Sequence, residues 1–254
     1  MTSRHLAEFY MLEGEVVINS LNALLDVVEN GIRSTLSHIV NGTSARSTRL
    51  KRDLEVIALT RIPEGEPVPA QVGLSSGIVS AATKPFQRLT YTQAVEMLQQ
   101  HADNESFGIA PEWGVGLSTE HEKFLAKHYD GPVFITHYPA SLKPFYMLPS
   151  TAVPGYSDQT PGQTVACFDL LVPNLGELIG GSLREHRLDE LHAAITKAGL
   201  KEEDYGWYTD LRRFGSVPHG GWGMGWERWV CWVTGVGNVR DVVAFPRWMG
   251  NCKY

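Results

Sequence analysis

The chain has 254 residues, of which 43% are hydrophobic and 20% are charged, and its formal net charge is −6. This length suffices for one large domain with a full core, and the negative charge argues against a protein that holds nucleic acid, DNA included, across its whole surface. The three cysteines form no CxxC pattern, so we expect neither a disulfide framework nor a structural zinc site. No stretch approaches the ~18 consecutive apolar residues of a membrane helix, and no signal peptide or presequence is recognisable, so we expect a cytoplasmic protein without a membrane partner.

The first 60 residues are predicted to form a strand and then helices. Residues 8–16 alternate and are rich in aromatic and apolar types, which predicts a strand. Apolar residues recur at helical spacing over residues 17–39, which predicts a long amphipathic helix that ends at Asn41-Gly42-Thr43. A run of basic residues follows and is typical of the solvated start of a helix: Arg46, Arg49, Lys51 and Arg52.

The next segments are predicted to be mostly loop, with one helix. Residues 64–69 contain two prolines and a glycine and predict a loop, and residues 75–84 predict an exposed connector. Residues 91–100 return to helical spacing, with Thr92 as the expected N-cap.

Further strands and helices are predicted after residue 130, separated by a proline-rich loop at residues 149–163. The predicted strands are residues 133–136, 145–147, 165–172 and 177–181, and the predicted helices are residues 188–198, 207–214 and 226–233. Few strand–helix–strand alternations are present, so we expect an α+β fold in which a mainly antiparallel sheet is flanked by helices.

Two acidic residues lie on opposite sides of a predicted turn. Asp169 and Glu177 are separated by a Pro-Asn-Leu-Gly turn, and in a hairpin this spacing lets both carboxylates face one side. Magnesium takes oxygen ligands and shares them with substrate phosphates, so the pair is a candidate metal site. Two solvent-facing acids beside a turn are the alternative.

Two further segments have the chemistry of a binding site. Gly180-Gly181-Ser182 permits close backbone approach, and the planar guanidinium of Arg184 suits bidentate contact with a carboxylate or carboxamide. In the run from His219 to Arg228, glycines at alternate positions leave a flat floor on which a purine can lie. Each residue taken alone is also compatible with a purely structural ion pair.

These segments together resemble the C-terminal part of the catalytic domain of class II asparaginyl-tRNA synthetases. The most specific match is HGGWGMGWER followed by TGVGNVRDVVAFPR, which resembles motif 3 and the end of the domain. Residues 2–9, TSRHLAEF, resemble the second half of motif 2. The resemblance therefore implies a single truncated catalytic domain, residues 1–254, that lacks motif 1 and the first half of motif 2.

The resemblance also implies roles for individual residues. Arg184 would hold the side-chain oxygen of the amino acid and Glu13 would accept from its carboxamide nitrogen, which together describe asparagine. Asp169 and Glu177 would hold Mg²⁺. His219 and Arg228 would hold the phosphates of ATP as the catalytic pair. The other residues implied to bind the amino acid are Ser182 and Glu177, and those implied to bind the nucleotide are Gly221, Trp222, Gly223, Gly225 and Arg228.

Several positions differ from the family's usual pattern. Gly116, Leu148 and Leu183 stand where the family usually has an acid, an arginine and a glutamine, so we expect the amino-acid or adenylate site to lose polar groups there. Trp222 and Trp226 stand where smaller side chains are common, so we expect larger rings near the nucleotide floor.

These features favour a ligase-like enzyme outside ordinary translation. It would use ATP and Mg²⁺ to activate asparagine or an aspartate analogue for amide or ester formation, without charging tRNA. The alternatives are an ATP-independent enzyme of specialised metabolism that uses a pocket remodelled by tryptophans, and a non-catalytic module that binds a synthetase or another protein. An unpaired sheet edge beside residues 8–16 predicts a homo-oligomer whose interface differs from the family's.

Overall fold

The computed structural model describes residues 2–62, 76–102, 107–157 and 160–253, and six strands there form one mixed sheet. The strands are β1 (Met11–Val17), β2 (Gln87–Thr90), β3 (Val133–Thr136), β4 (Cys167–Val172), β5 (Gly176–Leu183) and β6 (His219–Gly225). Their order across the sheet is β1-β6-β5-β4-β3-β2. The β2–β3 pair is parallel and the other neighbours are antiparallel, which confirms the predicted α+β fold with a mainly antiparallel sheet.

Helices cover both faces of this sheet. They are α1 (Leu21–Asn41), α2 (Ala45–Thr60), α3 (Ser76–Thr83), α4 (Tyr91–His101), α5 (Thr119–His128), α6 (Leu188–Lys197), α7 (Gly206–Arg213) and α8 (Trp226–Thr234). The predicted long first helix is confirmed, but it starts at Leu21 because the Ser20 hydroxyl accepts a hydrogen bond from the backbone N–H of Ala23 and caps the helix.

The side chains of β4 alternate between two hydrophobic cores, one on each face of the sheet. Phe168 and Leu170 pack with α1 and α3 in the first core. Cys167 and Leu171 pack with α4 and α5 in the second core. Because strand side chains alternate, Asp169 faces the same side as Cys167 and Leu171. The polar residues of the candidate site, Asp169 among them, lie on the part of this second face that α4 and α5 do not cover.

An irregularity between β4 and β5 changes which residues share that face. Leu170 pairs with Ile179, but the next residue, Leu171, pairs with Glu177, so β5 contains one extra residue. Leu178 and Ile179 are consecutive and are both buried in the first core. The bulge therefore places Glu177 on the same face as Gly180, although three positions separate them.

Some predicted elements are wrong. Residues 75–84 were predicted as an exposed connector, but α3 occupies most of this segment and buries Ile78, Ala81 and Ala82 against α1. The predicted strand at residues 145–147 has only an isolated bridge between Met147 and Arg184.

Other differences are smaller. The N-cap of α4 is Thr90, not Thr92, because Thr90 and Gln93 form a reciprocal capping box. The short strand β2 was not predicted. The predicted loop at residues 64–69 lies outside the described residues. Within the described part of the chain, no helix has the length and hydropathy that a membrane span requires.

Candidate functional site

A cavity of about 280 Å³ opens on the polar face of the sheet, where β5 and β6 meet the start of α8. Its floor includes Gly180 of β5 and Gly223 and Gly225 of β6, and Gly180 and Gly223 are cross-strand partners. Its charged and aromatic wall is formed by Arg4, His5, Phe9, Glu177, Glu227 and Arg228. Of the glycines predicted to form a floor beside Arg228, Gly223 and Gly225 line this cavity.

Two acidic residues approach each other above Gly180. A Cβ built on Gly180 would lie 3.4 Å from Glu177 Oε1 and 3.5 Å from Asp169 Oδ1, so both carboxylates stand over this glycine. Burial raises the pKa of Glu177, and the nearby charge of Asp169 raises it further, while Arg228 opposes these effects. The structure thus brings together the two acids that were predicted as a metal pair.

Each acid already has a cationic neighbour. Lys143 Nζ lies 2.8 Å from Asp169 Oδ1 and 2.7 Å from Oδ2. Arg228 Nη1 lies 3.7 Å from Glu177 Oε2 and donates to the Glu177 carbonyl oxygen at 3.1 Å. In the described residues, no group of three or more His, Cys, Asp or Glu side chains is arranged to hold a metal ion.

The guanidinium of Arg184 lies at the other end of the β5–β6 floor. Its Nε and Nη2 donate to Glu15 Oε1 at 3.1 and 2.6 Å, and its Nη1 donates to Ser182 Oγ at 2.8 Å. The ring of Tyr146 lies beneath it, 5.3 Å from Arg184 Cζ to the ring centroid. Ser182, predicted as a substrate-binding residue, here positions the arginine.

Glycine at position 221 is required by this ion pair. A Cβ on Gly221 would collide with the Glu15 carboxylate. Gly221 therefore lies beneath the Glu15–Arg184 pair and does not line the cavity beside Arg228. Glu13, the predicted carboxamide acceptor, is two residues before Glu15 on the same face, and its carboxylate has no hydrogen bond or ion pair in the described part of the chain.

His219 does not lie where it was predicted. It begins β6, whereas Gly225 ends this strand next to Arg228. A strand rises about 3.3 Å per residue, so the backbones at the two ends of β6 lie about 20 Å apart. The His219 ring contacts the carbonyl oxygen of Val217 through Nδ1 at 2.8 Å. The prediction that His219 and Arg228 hold the same phosphates is therefore wrong.

Trp222 also faces away from the cavity. It is the cross-strand partner of Gly14 and packs against the first hydrophobic core. Together with Trp226 and Trp229 it lines a separate apolar cavity of about 260 Å³ on the opposite face of the sheet. Side chains alternate along a strand, so Glu13 and Glu15 face the polar side, and Gly14 and its partner Trp222 face the other side. The prediction that Trp222 binds the nucleotide is therefore wrong.

Two of the departures from the family pattern lie in the first core. Leu148 and Leu183 are both buried there, and Leu183 follows Ser182 on β5 and so points to the other face. The prediction that these two substitutions remove polar groups from the site is therefore wrong. A Cβ on Gly116 would meet no atom within 4 Å.

Residues that the sequence reasoning missed also shape the site. Arg4 Nη1 donates to Glu122 Oε2 at 3.2 Å, and its Nη2 donates to the Glu177 carbonyl oxygen at 3.4 Å. Glu122 Oε2 in turn accepts from the Glu177 N–H at 3.1 Å. Arg4 lies in residues 2–9, a segment that carries the family resemblance and could have identified it.

The family model described as "tRNA synthetases class II (D, K and N)" matches residues 1–249. The chain belongs to this family.

Among similar proteins, the asparagine–tRNA ligase of Pseudoalteromonas translucida is 40% identical over 254 residues, which are 100% of this chain and 49% of that protein. The human asparaginyl-tRNA synthetase is 42% identical over 251 residues, covering 98% of this chain and 47% of that protein. The chain therefore spans about half the length of the curated relatives it matches.

Solved structures give the same result. The Entamoeba histolytica asparaginyl-tRNA synthetase in complex with asparaginyl-adenylate matches with a TM-score of 0.76 and 32% identity, over 100% of this chain and 51% of that one. The Pyrococcus horikoshii enzyme, also with asparaginyl-adenylate, matches with a TM-score of 0.77 and 31% identity, over 99% of this chain and 50% of that one. The chain is thus an asparaginyl-tRNA-synthetase-like domain of a ligase family.

Proposed function

We propose that this domain activates asparagine with ATP. In the reaction, an oxygen of the asparagine carboxylate attacks the α-phosphorus of ATP, the bond to the bridging oxygen breaks, and pyrophosphate leaves with its electron pair. The product is asparaginyl-adenylate. The cavity beside Arg228 would take the nucleotide, and the Arg184 end of the glycine floor would take the amino-acid side chain.

The observation that carries the choice of asparagine is the Glu15–Arg184 ion pair. Glu15 already neutralises the Arg184 guanidinium, and Glu13 adds a second carboxylate on the same face. A neutral carboxamide can donate to such carboxylates and accept from the arginine, because it carries both kinds of group. An aspartate side chain would add a third negative charge, which like-charge repulsion disfavours.

Arg228 supports binding of the nucleotide. It lies in the first turn of α8 at the cavity wall, and its Nη1 donates to the Glu177 carbonyl oxygen. Its guanidinium is fixed in direction and suits the oxygens of a phosphate. Phe9 stands at the same cavity with an exposed ring, which offers a surface on which a base can stack.

The residues of the site supply some of the oxygen ligands that a magnesium ion needs. Glu177 lines the cavity and offers carboxylate oxygen, the ligand type that Mg²⁺ prefers, whereas both oxygens of Asp169 already accept from Lys143 Nζ. Mg²⁺ commonly combines one or two carboxylates with phosphate oxygens, and when bound it would neutralise phosphate charge. Among the residues described, Glu177 is the group best placed to hold it.

The test is amino-acid-dependent exchange of pyrophosphate into ATP. We expect exchange with asparagine, much less with aspartate, and none in Arg184→Ala. Arg213→Ala serves as the matched control, since Arg213 is exposed and pairs only with Asp210 in the described chain. Exchange that prefers aspartate would contradict the role given to the ion pair.

The acceptor of the activated amino acid, and a role outside ordinary translation, stay predictions. The alternative of an ATP-independent enzyme relied on tryptophans that reshape the nucleotide pocket, but Trp222, Trp226 and Trp229 line a cavity on the other face. The structure therefore lends that alternative no support. The alternative of a non-catalytic binding module stays a prediction.

A further inference from the structure

A second cavity, of about 520 Å³, lies next to the cavity beside Arg228 and shares Arg4 with it. Its walls come from the ends of α2 and α8, the exposed face of α5 and the turn between β4 and β5. Among the described residues, its lining includes one acidic side chain, Asp130, and four cationic ones: Arg4, Arg61, Lys123 and Lys127. The net charge of the whole chain is −6, so this excess of positive charge is local.

Arg4 stands between the two cavities and is already engaged. Its guanidinium donates to Thr119 Oγ1 at 3.0 Å, to Glu122 Oε2 at 3.2 Å and to the Glu177 carbonyl oxygen at 3.4 Å. Its side chain is only 13% exposed. The charge of Arg4 is therefore balanced by Glu122, and the cations available to a ligand in the second cavity are the other three.

Two of these cations are lysines on one face of α5. Lys123 and Lys127 are four residues apart and both exposed, and neither ammonium makes a hydrogen bond or an ion pair within the described parts of the chain. Side chains at this spacing are neighbours on a helix, and like charges there repel each other. A negatively charged ligand between them would relieve this repulsion.

Arg61 brings the third cation from a different helix. It is the C-cap of α2, and its Nη1 donates to the Thr234 carbonyl oxygen at 3.1 Å, at the end of α8. A Cβ on Gly235 would collide with this guanidinium, so the glycine lets Arg61 lie close to the turn after α8. Cations from two helices that are distant in the chain thus border one cavity.

We propose that the cavity bordered by Arg61, Lys123 and Lys127 is a second binding site, for a small anion that carries several phosphate groups. Lysine binds phosphate as a point charge, and arginine can bind it through two parallel hydrogen bonds. A carboxylate carries a single charge, whereas a chain of phosphates carries several and can contact more than one of these cations. The phosphate chain can be free or part of a nucleotide, because both have the same chemistry at this point.

This second site lies outside the glycine floor, and the inference does not rest on the proposed function. Neither Lys123 nor Lys127 lines the cavity beside Arg228. Variants of these lysines therefore test the second site, and Arg228→Ala tests the first.

The experiment measures binding of inorganic tripolyphosphate by calorimetry, in buffer without divalent metal ions. We expect the unmodified protein and Arg228→Ala to bind it with similar affinity. The double variant Lys123→Gln/Lys127→Gln should bind it at least about tenfold more weakly, because hydrogen bonds from charged groups are lost. It is made in both backgrounds, so the result does not depend on the folding of Arg228→Ala. Binding by the unmodified protein should also weaken as the salt concentration rises.

Two further double variants separate a binding site from a general effect of charge. Lys197→Gln/Lys201→Gln removes the same charge from exposed positions at and after the end of α6 and should leave binding unchanged. Lys123→Arg/Lys127→Arg keeps both charges and should retain binding. Tripolyphosphate should raise the melting temperature of the unmodified protein but not that of Lys123→Gln/Lys127→Gln.

Cytidine triphosphate, compared with tripolyphosphate in Arg228→Ala, distinguishes the two sources of the phosphates. Equal affinity would support a site for phosphates alone, and tighter binding of the nucleotide would support a site that also contacts the nucleoside. Tripolyphosphate binding that Arg228→Ala abolishes and the lysine variants leave intact would overturn the inference, because the ligand would then occupy the first cavity. No tripolyphosphate binding, or lysine-dependent binding of duplex RNA without it, would overturn the inference as well.

Discussion

The indole of Trp222 on β6 packs directly against Gly14, its cross-strand partner on β1. A Cβ built on Gly14 would lie 3.0 Å from Trp222 Nε1 and 3.1 Å from its Cε2. The Trp222 ring therefore fits here because Gly14 has no side chain. The pair attaches the edge strand β1 to the first hydrophobic core, and so holds Glu13 and Glu15 over the polar face.

We expect Gly14→Ala to destabilise the protein, because the added methyl group overpacks the contact with Trp222. Overpacking of this kind costs about 1–3 kcal/mol of unfolding free energy. Trp222→Phe should remove much of that cost when it is combined with Gly14→Ala. Urea denaturation of the two single variants and the double variant measures the coupling. Strictly additive effects would show that the two residues are independent.

Arg228→Ala should abolish measurable binding of Mg-ATP. The variant removes the guanidinium that the Glu177 carbonyl oxygen holds at the cavity wall. We expect the unmodified protein to bind Mg-ATP weakly, and Glu177→Ala to make the remaining nucleotide binding independent of magnesium. Calorimetry measures ATP binding by the unmodified protein, Arg228→Ala and Glu177→Ala, and Arg213→Ala is the control for loss of an arginine. No heat from the unmodified protein at millimolar ATP would contradict the proposed nucleotide site.

Gly181→Ala should destabilise the protein strongly, whereas Gly31→Ala should stabilise it. A Cβ on Gly181 would lie 2.5 Å from the Phe168 ring and 2.7 Å from the Gly221 carbonyl oxygen, and neither can move easily. We expect a loss of about 1–3 kcal/mol or more. Gly31 is an exposed residue in α1 with no atom within 4 Å of its Cβ position, so alanine should add about 0.5–1 kcal/mol. Thermal and chemical denaturation measure the unfolding free energies of Gly181→Ala and Gly31→Ala relative to the unmodified protein.

The edge of β1 should be covered by a second copy of the chain. In the described structure β1 pairs only with β6, and Tyr10, Leu12 and Val17 beside the open edge are 70%, 48% and 77% exposed. Unpaired edges that carry apolar side chains promote association, at roughly 25 cal/mol per Å² of apolar surface buried.

Light scattering measures the predicted dimer. Leu12→Lys should shift it to a monomer, because a charged side chain on an edge strand opposes pairing. Val56→Lys changes an exposed apolar residue on α2 and should not alter the oligomeric state. A monomer at micromolar concentration for the unmodified protein would refute this prediction.

The chain by itself should not charge asparagine tRNA at a useful rate. The 254 residues span about half the length of the curated relatives that they match, so the assay tests whether this half alone supports charging. Charging of purified tRNA with labelled asparagine, without any added synthetase, measures this. Efficient charging would contradict both this prediction and a role outside ordinary translation.

The sequence predicted the elements that depend on local patterns. The amphipathic helix α1 follows from the spacing of its apolar residues, and the β4–β5 pair follows from two apolar runs around a turn. Helix α3 was missed because its burial depends on contact with α1, which is distant in the chain. Strand β2 was missed because it is short and takes its conformation from pairing with β3.

The resemblance of its motifs already indicated a class II synthetase family, and residue types indicated the glycines and several of the charged groups of the candidate site. Only the tertiary structure decided which way those groups face. Period-two alternation puts Trp222 on the core face, and the single extra residue in β5 turns Glu177 toward Asp169. Pairing register and bulges arise from contacts between strands, so one strand's sequence does not specify them. The partner of Asp169 is likewise Lys143, which is distant in sequence and reaches it only through the fold.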